Sequence, residues 1–464
     1  MASIAQTGAM PGSKPAGHFV EIVAAVAALA GLLFGFDTGV ISGAILFIKG
    51  QFGLTPLTEE VLVSSALVGA VCGAILGGRM TDVMGRKRAI LTTAVIFTIG
   101  SILCAVAANT AWLVVGRVAV GLAIGIASYA APVYIGEMAP PKLRGGLVAL
   151  NQLAITVGIL LAYVVDAAFA PSGGWRLMFA FGVLPALVLG IGIAMLPETP
   201  RWLMLHQHKD EGIKVLTRIR GGVDVQAEAT QILEHAEAGR GKFTDLFAPF
   251  LLPVLFCGVG LAIIQQVTGI NTVIYYAPTI FEQAGFKSAE TSIIATAGVG
   301  LVNVIMTIVA IPLLDRVGRR PLLLISLGGM CVSLAALGVG FAIGGVALQW
   351  IGVLSLAVYI ASFAIGLGPV FWLLISEIFP LNVRGQAGSI ATMANWLSNF
   401  VVSLTFLSLL NALGSVATFV LYAVLSLAGW FFCFRFVPET KGVPLERIEA
   451  NLRAGRSLRR LGDT

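Results

Sequence analysis

The chain has 464 residues, of which 58% are hydrophobic and only 11% are charged, with a mean hydropathy of +0.95. Soluble domains carry about 25% charged residues, so this composition excludes a soluble core and predicts a protein that crosses the membrane many times. The net charge of +6 does not indicate nucleic-acid binding, because the basic residues lie in short loops between apolar runs.

The apolar runs are about 20 residues long, the length of a helix that crosses a bilayer. They predict helices near residues 20–48, 61–80, 89–108, 112–135, 147–169 and 177–196, and again near 250–277, 291–314, 321–343, 349–375, 387–410 and 416–436. We therefore predict an all-α membrane protein with twelve transmembrane helices in two halves of six. The domains follow as an N-terminal tail (1–19), a first half (20–196), a linker (197–249), a second half (250–437) and a C-terminal tail (438–464).

The distribution of Lys and Arg predicts the orientation. The loops after the even-numbered helices and the linker hold most of the basic residues, whereas the opposite loops hold only Lys49, Arg176 and Lys287. Because basic loops stay in the cytoplasm, we expect both termini there and the protein in the plasma (inner) membrane. Amphipathic segments at Arg201–Arg220, Val225–Ala238 and Leu445–Arg460 are expected as short cytoplasmic helices.

Three loop motifs recur in the same order in both halves. GRMTDVMGRKR is repeated as LLDRVGRR, IGEMAPPKLRGG as ISEIFPLNVRGQ, and PETPR as PETKG, which predicts two related halves with a substrate site between them. The acids and arginines of these motifs form carboxylate–guanidinium pairs that we expect to latch the halves in one orientation. These residues are Asp82, Arg86, Glu137, Arg144, Glu198, Asp315, Arg319, Glu377, Arg384 and Glu439.

The repeat fails at one charged position. Asp37, in GFDT, matches Asn271, in GINT, and Arg117 has no basic counterpart in the second half. An ionised carboxylate at membrane depth costs roughly 2.5–3.5 kcal/mol on insertion scales, so it needs a partner or a function. We predict that Asp37 is a proton-binding site and that Arg117 tunes it. The four histidines lie outside the membrane runs, which leaves Asp37 as the proton carrier.

Polar side chains concentrate in the second half and suit a neutral ligand with many hydroxyl groups. Amides and tyrosine hydroxyls both donate and accept hydrogen bonds, and an aromatic ring can cover a sugar face. A lone intramembrane Asn or Gln more often joins helices, but we interpret the grouped residues QQ-x4-N-x3-YY as a ligand-binding face on one helix. The candidate ligand-binding residues are Gln152, Gln265, Gln266, Asn271, Tyr276, Asn303, Trp372, Asn395 and Trp396.

Three further patterns give structural predictions. The glycine rows Gly69–Gly73–Gly77 and Gly121–Gly125 indicate close helix packing. Pro369, with its neighbouring glycines, predicts a local break in the tenth helix beside Trp372. Asp166 is expected to be a solvated residue at the end of the fifth helix.

The motifs GRMTDVMGRKR, RVAVGLAIG, PETPRWL, QQVTGIN, DRVGRR, GPVFW and VPETKG together resemble the sugar porter family of the major facilitator superfamily, over residues 20–442. The resemblance is greatest to bacterial sugar–proton symporters. It implies the major facilitator fold, sugar binding by the amides above, and Phe34, Tyr276 and Trp396 as residues that line the site. It also implies that Asp37 is the proton site.

These observations predict a transporter that imports a monosaccharide, a hexose or a pentose, together with a proton by alternating access. One alternative is a passive uniporter in which Asp37 is only the structural partner of Arg117, and another is a sugar sensor that does not transport. An enzyme is not expected, because the sequence has no metal cluster and no nucleophile–base constellation. We expect no cofactor other than the coupling proton, no metal, contact with membrane lipid, and a monomer.

Overall fold

The computed structural model describes residues 18–140, 144–222, 224–237, 243–380 and 383–463, and every regular element in these ranges is helical. The predicted N-terminal tail therefore lies almost entirely outside the described residues. The first half contains α1 (His18–Phe52), α2 (Pro56–Met84), α3 (Arg86–Ala105), α4 (Thr110–Met138), α5 (Arg144–Phe169), α6 (Trp175–Phe181) and α7 (Val183–Ala194).

Three short helices follow in the linker, α8 (Pro200–Leu205), α9 (Lys209–Ile219) and α10 (Gln226–Glu237). The second half contains α11 (Leu252–Val267), α12 (Ile270–Gln283), α13 (Ala289–Val317), α14 (Arg319–Ile343), α15 (Gly345–Ile365), α16 (Leu367–Ile378) and α17 (Arg384–Phe436), and the tail carries α18 (Leu445–Arg453). Single 3₁₀ turns occur at Ala170–Ser172, Phe243–Phe247 and Leu458–Arg460.

Within the described residues, eleven helical stretches are long and apolar enough to cross a membrane. The last of them, α17, has 53 residues and is broken at Gly414, whose φ of 77° and ψ of 165° are not helical. It therefore supplies two spans, and the described part of the chain contains the twelve predicted spans in two halves of six.

Three spans consist of two helical segments, and two of these breaks are important for the site. Gly269, with a φ of 91°, separates α11 from α12, since a residue without a Cβ adopts this left-handed conformation readily. The sequence QQ-x4-N-x3-YY is thus divided between two segments, and the prediction of a single helix is wrong here. Gly366 separates α15 from α16, which confirms the break predicted beside Trp372.

The predicted glycine rows do bring helices together. A Cβ added at Gly121 would overlap the backbone carbonyl of Ala66, and one added at Gly73 would overlap that of Leu122. Only glycine allows α2 and α4 to approach so closely, and this contact organises the first half.

The linker differs from the prediction in one respect. The segment Arg201–Arg220 is not one helix but two, because the chain turns at Gln207, whose φ is 67°. Arg218 stacks over the ring of Phe19, with its guanidinium carbon 3.8 Å from the ring centroid, so the linker packs against the start of α1. We call this end of the bundle, which also carries the loop motifs, the basic face, and the other end the opposite face.

Candidate functional site

A buried ion pair joins α1 and α4 in the first half. Nη1 of Arg117 lies 2.5 Å from Oδ1 of Asp37, and both residues are almost fully buried, at 1% and 4% exposure. The same guanidinium also donates to the backbone carbonyls of Asp37 and Val63, at 3.4 and 3.3 Å. The structure thus places together the two charged residues that the sequence singled out, with no matching pair at the equivalent positions, Asn271 and Ala357.

Four of the predicted ligand-binding amides form one hydrogen-bonded network in the second half. Nδ2 of Asn271 donates to Gln266 at 2.7 Å, Nε2 of Gln266 donates to Asn395 at 3.1 Å, and Nδ2 of Asn395 donates to Gln265 at 2.6 Å. Gln265 in turn donates to the carbonyls of Leu367 and Gly368, directly after the helix break at Gly366. The amides therefore satisfy one another, and a ligand hydroxyl would exchange one such bond for another.

The predicted aromatic residues of the site lie in three different environments. The rings of Phe34 and Trp396 are 5.4 Å apart and form a contact between the two halves. Tyr276 is fully buried against Phe406, with its hydroxyl 3.5 Å from the carbonyl of Ser403. Trp372 is 42% exposed, and its ring contacts that of Phe371.

The remaining two candidates lie on other helices, α13 and α5. Asn303 is buried on α13 and lines a small cavity with Tyr163 and Ile274. Gln152 is half-buried on α5 of the first half.

On the basic face of the first half, Arg86 is the centre of a polar cluster. Its guanidinium lies 3.0 Å from Glu137 and 3.7 Å from Asp82. Its backbone N–H donates to Glu198 at 3.0 Å, as do those of Lys87 and Thr199. Burial raises the pKa of Glu198, and the three N–H donors and the charge of Arg86 oppose this rise. The carboxylate of Glu198 thus caps the N-terminus of α3, where the helix dipole favours a negative charge.

The second half contains the same cluster around Arg319. Its guanidinium pairs with Glu377 through two hydrogen bonds, of 2.9 and 3.2 Å, and lies 3.7 Å from Asp315. The carboxylate of Glu439 accepts the N–H groups of Arg319 and Arg320 at the start of α14. The internal repeat in the sequence is therefore a repeat in side-chain geometry.

Both clusters join helices of the same half, which differs from the predicted role as a latch between the halves. Each of the guanidinium–carboxylate pairs described for these clusters lies wholly within the first half or wholly within the second. Glu198 of the linker and Glu439 of the tail each bind the half that precedes them in the chain. Arg384 donates to the carbonyl of Phe379 at 3.0 Å, also within one half. The side chain of Arg144 lies outside the part of the chain that the structure describes.

The halves meet instead toward the opposite face. Nζ of Lys49 lies 2.9 Å from the carboxylate of Glu282, and the hydroxyl of Tyr163 donates to the carbonyl of Ile274 at 2.9 Å. The carboxylate of Glu60 accepts two hydrogen bonds from Ser408. Together with the contact between Phe34 and Trp396, these interactions join the two halves.

The expectation for Asp166 is wrong. Its side chain is not solvated but fully buried, at 0% exposure, and Oδ2 accepts the N–H of Gly43 at 3.1 Å. The carboxyl group packs directly on α1 because Gly43 has no side chain there. The sequence of an apolar run does not reveal that another helix packs on its last polar residue at the position of a glycine.

Sequence reasoning also misses Glu60, which precedes the predicted start of the second helix. The helix α2 begins earlier, at Pro56, because the side chain of Thr55 caps it by accepting the N–H of Thr58 and proline suits the first helical position. The signal is present in the sequence, as a Thr-Pro pair followed by acidic residues.

Two six-helix halves, one with a buried ion pair and the other with an amide network, define a multi-pass membrane protein. Its relatives and structural neighbours are transporters, not enzymes. The chain belongs to the sugar porter family: the family model described as "Sugar (and other) transporter" matches residues 23–452. It is 40% identical to the galactose-proton symporter of Escherichia coli K12 over 464 residues, which cover 98% of this chain and 99% of that one. It is 42% identical to the D-xylose transporter of Levilactobacillus brevis over 434 residues, 92% of this chain and 94% of that one.

Solved structures agree with the fold. A partially occluded, inward-open conformation of the xylose transporter XylE from E. coli superposes with a TM-score of 0.81 at 33% identity, and covers 92% of this chain and all of that one. The major facilitator superfamily proton:xylose symporter XylE bound to 6-bromo-6-deoxy-D-glucose superposes with a TM-score of 0.78 at 34% identity, over 93% and 98% of the two chains. The predicted major facilitator fold is confirmed.

Proposed function

We propose that this sugar transporter imports a monosaccharide together with a proton by alternating access. In this cycle a proton and a sugar bind from outside, the two halves rock about the site, and both are released into the cytoplasm. The relatives named as galactose-proton and xylose-proton symporters support this assignment. The sugar is a hexose or a pentose, and the external pH measured with a panel of both identifies it.

The observation that carries the proposal is the buried pair of Asp37 and Arg117. Arg117 favours the ionised form of Asp37 while the two are in contact, and separation of the pair favours the protonated form. A carboxylate whose proton affinity depends on the position of one guanidinium can bind a proton in one orientation and release it in the other. One charge that moves through 100 mV provides about 2.3 kcal/mol, which corresponds to roughly 50-fold accumulation of the sugar.

The amide network supports a sugar as the cargo. Its members, Gln265, Gln266, Asn271 and Asn395, offer donors and acceptors but no charge, so they suit neutral hydroxyl groups. We assign Gln152, Asn303, Trp372, Phe34, Tyr276 and Trp396 to the same site.

The orientation follows from the distribution of basic residues. With the basic face in the cytoplasm, both termini are intracellular and the opposite face is external. The external side is then closed, as in the inward-open relative. In the other orientation the two basic-face clusters would approach each other, and we assign the latch between the halves to that state.

Sugar-driven alkalinisation of the medium tests the proposal. De-energised, lightly buffered cells that express the protein are given a panel of hexoses and pentoses while the external pH is measured. We expect a rise in pH with one or a few sugars. We also expect that Asp37→Asn abolishes this rise and uphill uptake but preserves exchange of labelled sugar across the membrane.

Asp210→Asn is the matched control, because Asp210 is an exposed acid in the linker helix α9. It should alkalinise the medium as the parent does. Uptake of labelled sugar by the parent without any change in pH would instead identify a uniporter, in which Asp37 serves only as the structural partner of Arg117. An unimpaired uphill gradient in Asp37→Asn would refute the assignment of the proton site.

A further inference from the structure

Glu60 makes a contact between the halves that the transport site does not use. It lies in the first turns of α2, on the opposite face, and is fully buried at 0% exposure. Oε1 accepts the backbone N–H of Ser408 and Oε2 accepts its hydroxyl, each at 2.7 Å. Ser408 belongs to α17 in the second half. Both oxygens of a buried carboxylate are thus held by one residue of the other half.

A second link between the halves lies on the same face. Lys49 at the end of α1 pairs with Glu282 at the end of α12, but their side chains are 33% and 30% exposed. An ion pair with this access to water contributes little, because water and salt screen it. The carboxylate of Glu60 differs, since it is itself fully buried and its hydrogen bonds are charge-assisted.

Opening of the opposite face must break the contact between Glu60 and Ser408. The carboxylate would then exchange two protein donors for water, while the hydroxyl and N–H of Ser408 would lose their acceptor. Loss of the Ser408 hydroxyl in the closed state leaves an oxygen of the buried Glu60 carboxylate without its hydrogen bond, which is costly. The contact therefore favours the closed state by a specific amount that a substitution can measure.

We propose that Glu60, through Ser408, is the latch that holds the opposite face closed and so sets the balance between the two orientations of the carrier. This inference rests on the alternating-access part of the proposed function and not on proton coupling. It predicts that the strength of one carboxylate–serine contact, rather than the exposed ion pair, determines how often the closed face opens.

Distances between spin labels test the proposal without sugar or a proton gradient. Labels at Trp112→Cys and Val346→Cys report the opposite face, because these positions begin α4 and α15 in different halves and are 54% and 72% exposed. Cys72 and Cys331 are replaced by serine in all variants to remove the accessible native thiols. The distance distribution is then measured for the parent and for each variant in lipid nanodiscs.

We expect Glu60→Gln to raise the ratio of long to short distances at least tenfold, because it replaces two charge-assisted hydrogen bonds to Ser408 by neutral ones, which are about half as strong. That ratio corresponds to about 1.4 kcal/mol. Ser408→Ala, which removes one of the two donors, should give a smaller shift in the same direction, and Lys49→Gln almost none.

Glu290→Gln is the matched control, since Glu290 is an exposed acid in the first turn of α13 on the same face. It should leave the distribution unchanged. A folded Glu60→Gln variant with the parent's distance distribution would show that Glu60 does not hold the opposite face closed. If Glu60→Gln does not fold, an unchanged distance distribution in Ser408→Ala would show the same. Failure of the pH experiment on Asp37 would leave these distances, and hence this inference, unaffected.

Discussion

At the scale of single residues, the buried pair of Asp37 and Arg117 affects both the proposed proton binding and the stability of the fold. Two charges out of water stabilise the fold only while they are paired, and loss of one partner leaves an uncompensated charge. This is why one substitution here has a larger effect than two that remove both charges together. The two residues of the proposed proton site thus also contribute to the stability of the first half.

We expect Asp37→Leu to destabilise the protein by about 3–5 kcal/mol, because it strands Arg117 in the membrane. The double variant Asp37→Leu with Arg117→Met should recover most of this loss, since no buried charge remains. Thermal unfolding of the purified proteins in the same detergent measures both. A double variant that is less stable than the single one would show that the pair does not behave as a unit.

The amide network gives a second prediction at this scale. Asn395→Ala removes a donor to Gln265 and an acceptor for Gln266, so binding of the sugar that alkalinises the medium should weaken by roughly tenfold or more. Titration of the purified protein with that sugar measures the affinity. Asn411→Ala is the control, because Asn411 is an exposed amide on the same helix. Equal affinities in the two variants would contradict the assignment.

At the scale of elements, much of the fold could be predicted because apolar length and loop charge act locally. The boundaries of α1 and α3 differ from their predicted positions by only a few residues. The break at Gly269 could not be derived in this way, because glycine occurs both in close helix packing and at helix ends. Only the φ of 91° distinguishes the second use from the first.

Close packing of α2 and α4 predicts that Gly121→Ala destabilises the protein by about 1–3 kcal/mol, because its Cβ would meet the carbonyl of Ala66. Gly136→Ala on the same helix is the control. A Cβ there has nothing within 4 Å, and alanine favours a helix by about 1 kcal/mol over glycine. Heat treatment followed by size-exclusion chromatography compares the two. Equal stability would show that the helices can separate without loss.

At the scale of the molecule, the repeated clusters tie three helices together in each half. Arg86 and Arg319 occupy equivalent positions, with equivalent carboxylates at similar distances. The equivalence of the two clusters could be predicted from the sequence because the spacing of the motifs repeats. The sequence could not predict the pairing, because an acid and an arginine on neighbouring loops can pair within a half or between halves, and only the packing decides.

The equivalent positions of Arg86 and Arg319 predict that the loss of either arginine destabilises the protein to the same extent. Arg86→Leu and Arg319→Leu should each lower the unfolding temperature, and by similar amounts, because each removes the partner of a half-buried glutamate, Glu137 or Glu377. Arg456→Leu, at an exposed position in the tail, should have no effect. Thermal unfolding of the three variants under identical conditions is the measurement. A large loss in only one half would mean that the two clusters differ in function despite their shared geometry.

The burial of Asp166 shows the limit of the sequence at this scale. Its position at the end of an apolar run is compatible with water or with protein, and the outcome depends on Gly43, 123 residues away. The same holds for Glu60 and Ser408, which are 348 residues apart. Contacts of this kind arise from the arrangement of the whole bundle.

The amide network has a consequence for the carrier without cargo. Because Gln265, Gln266, Asn271 and Asn395 bond to one another, the unloaded site carries few unpaired dipoles through the rocking motion. In the proposed transport cycle, we therefore expect the return of the empty carrier not to be penalised by the absence of sugar. The same hydrogen bonds weaken the binding of a sugar, since every bond to a sugar hydroxyl replaces a bond between two amides. For the proposed carrier we therefore expect fast turnover combined with weak sugar binding.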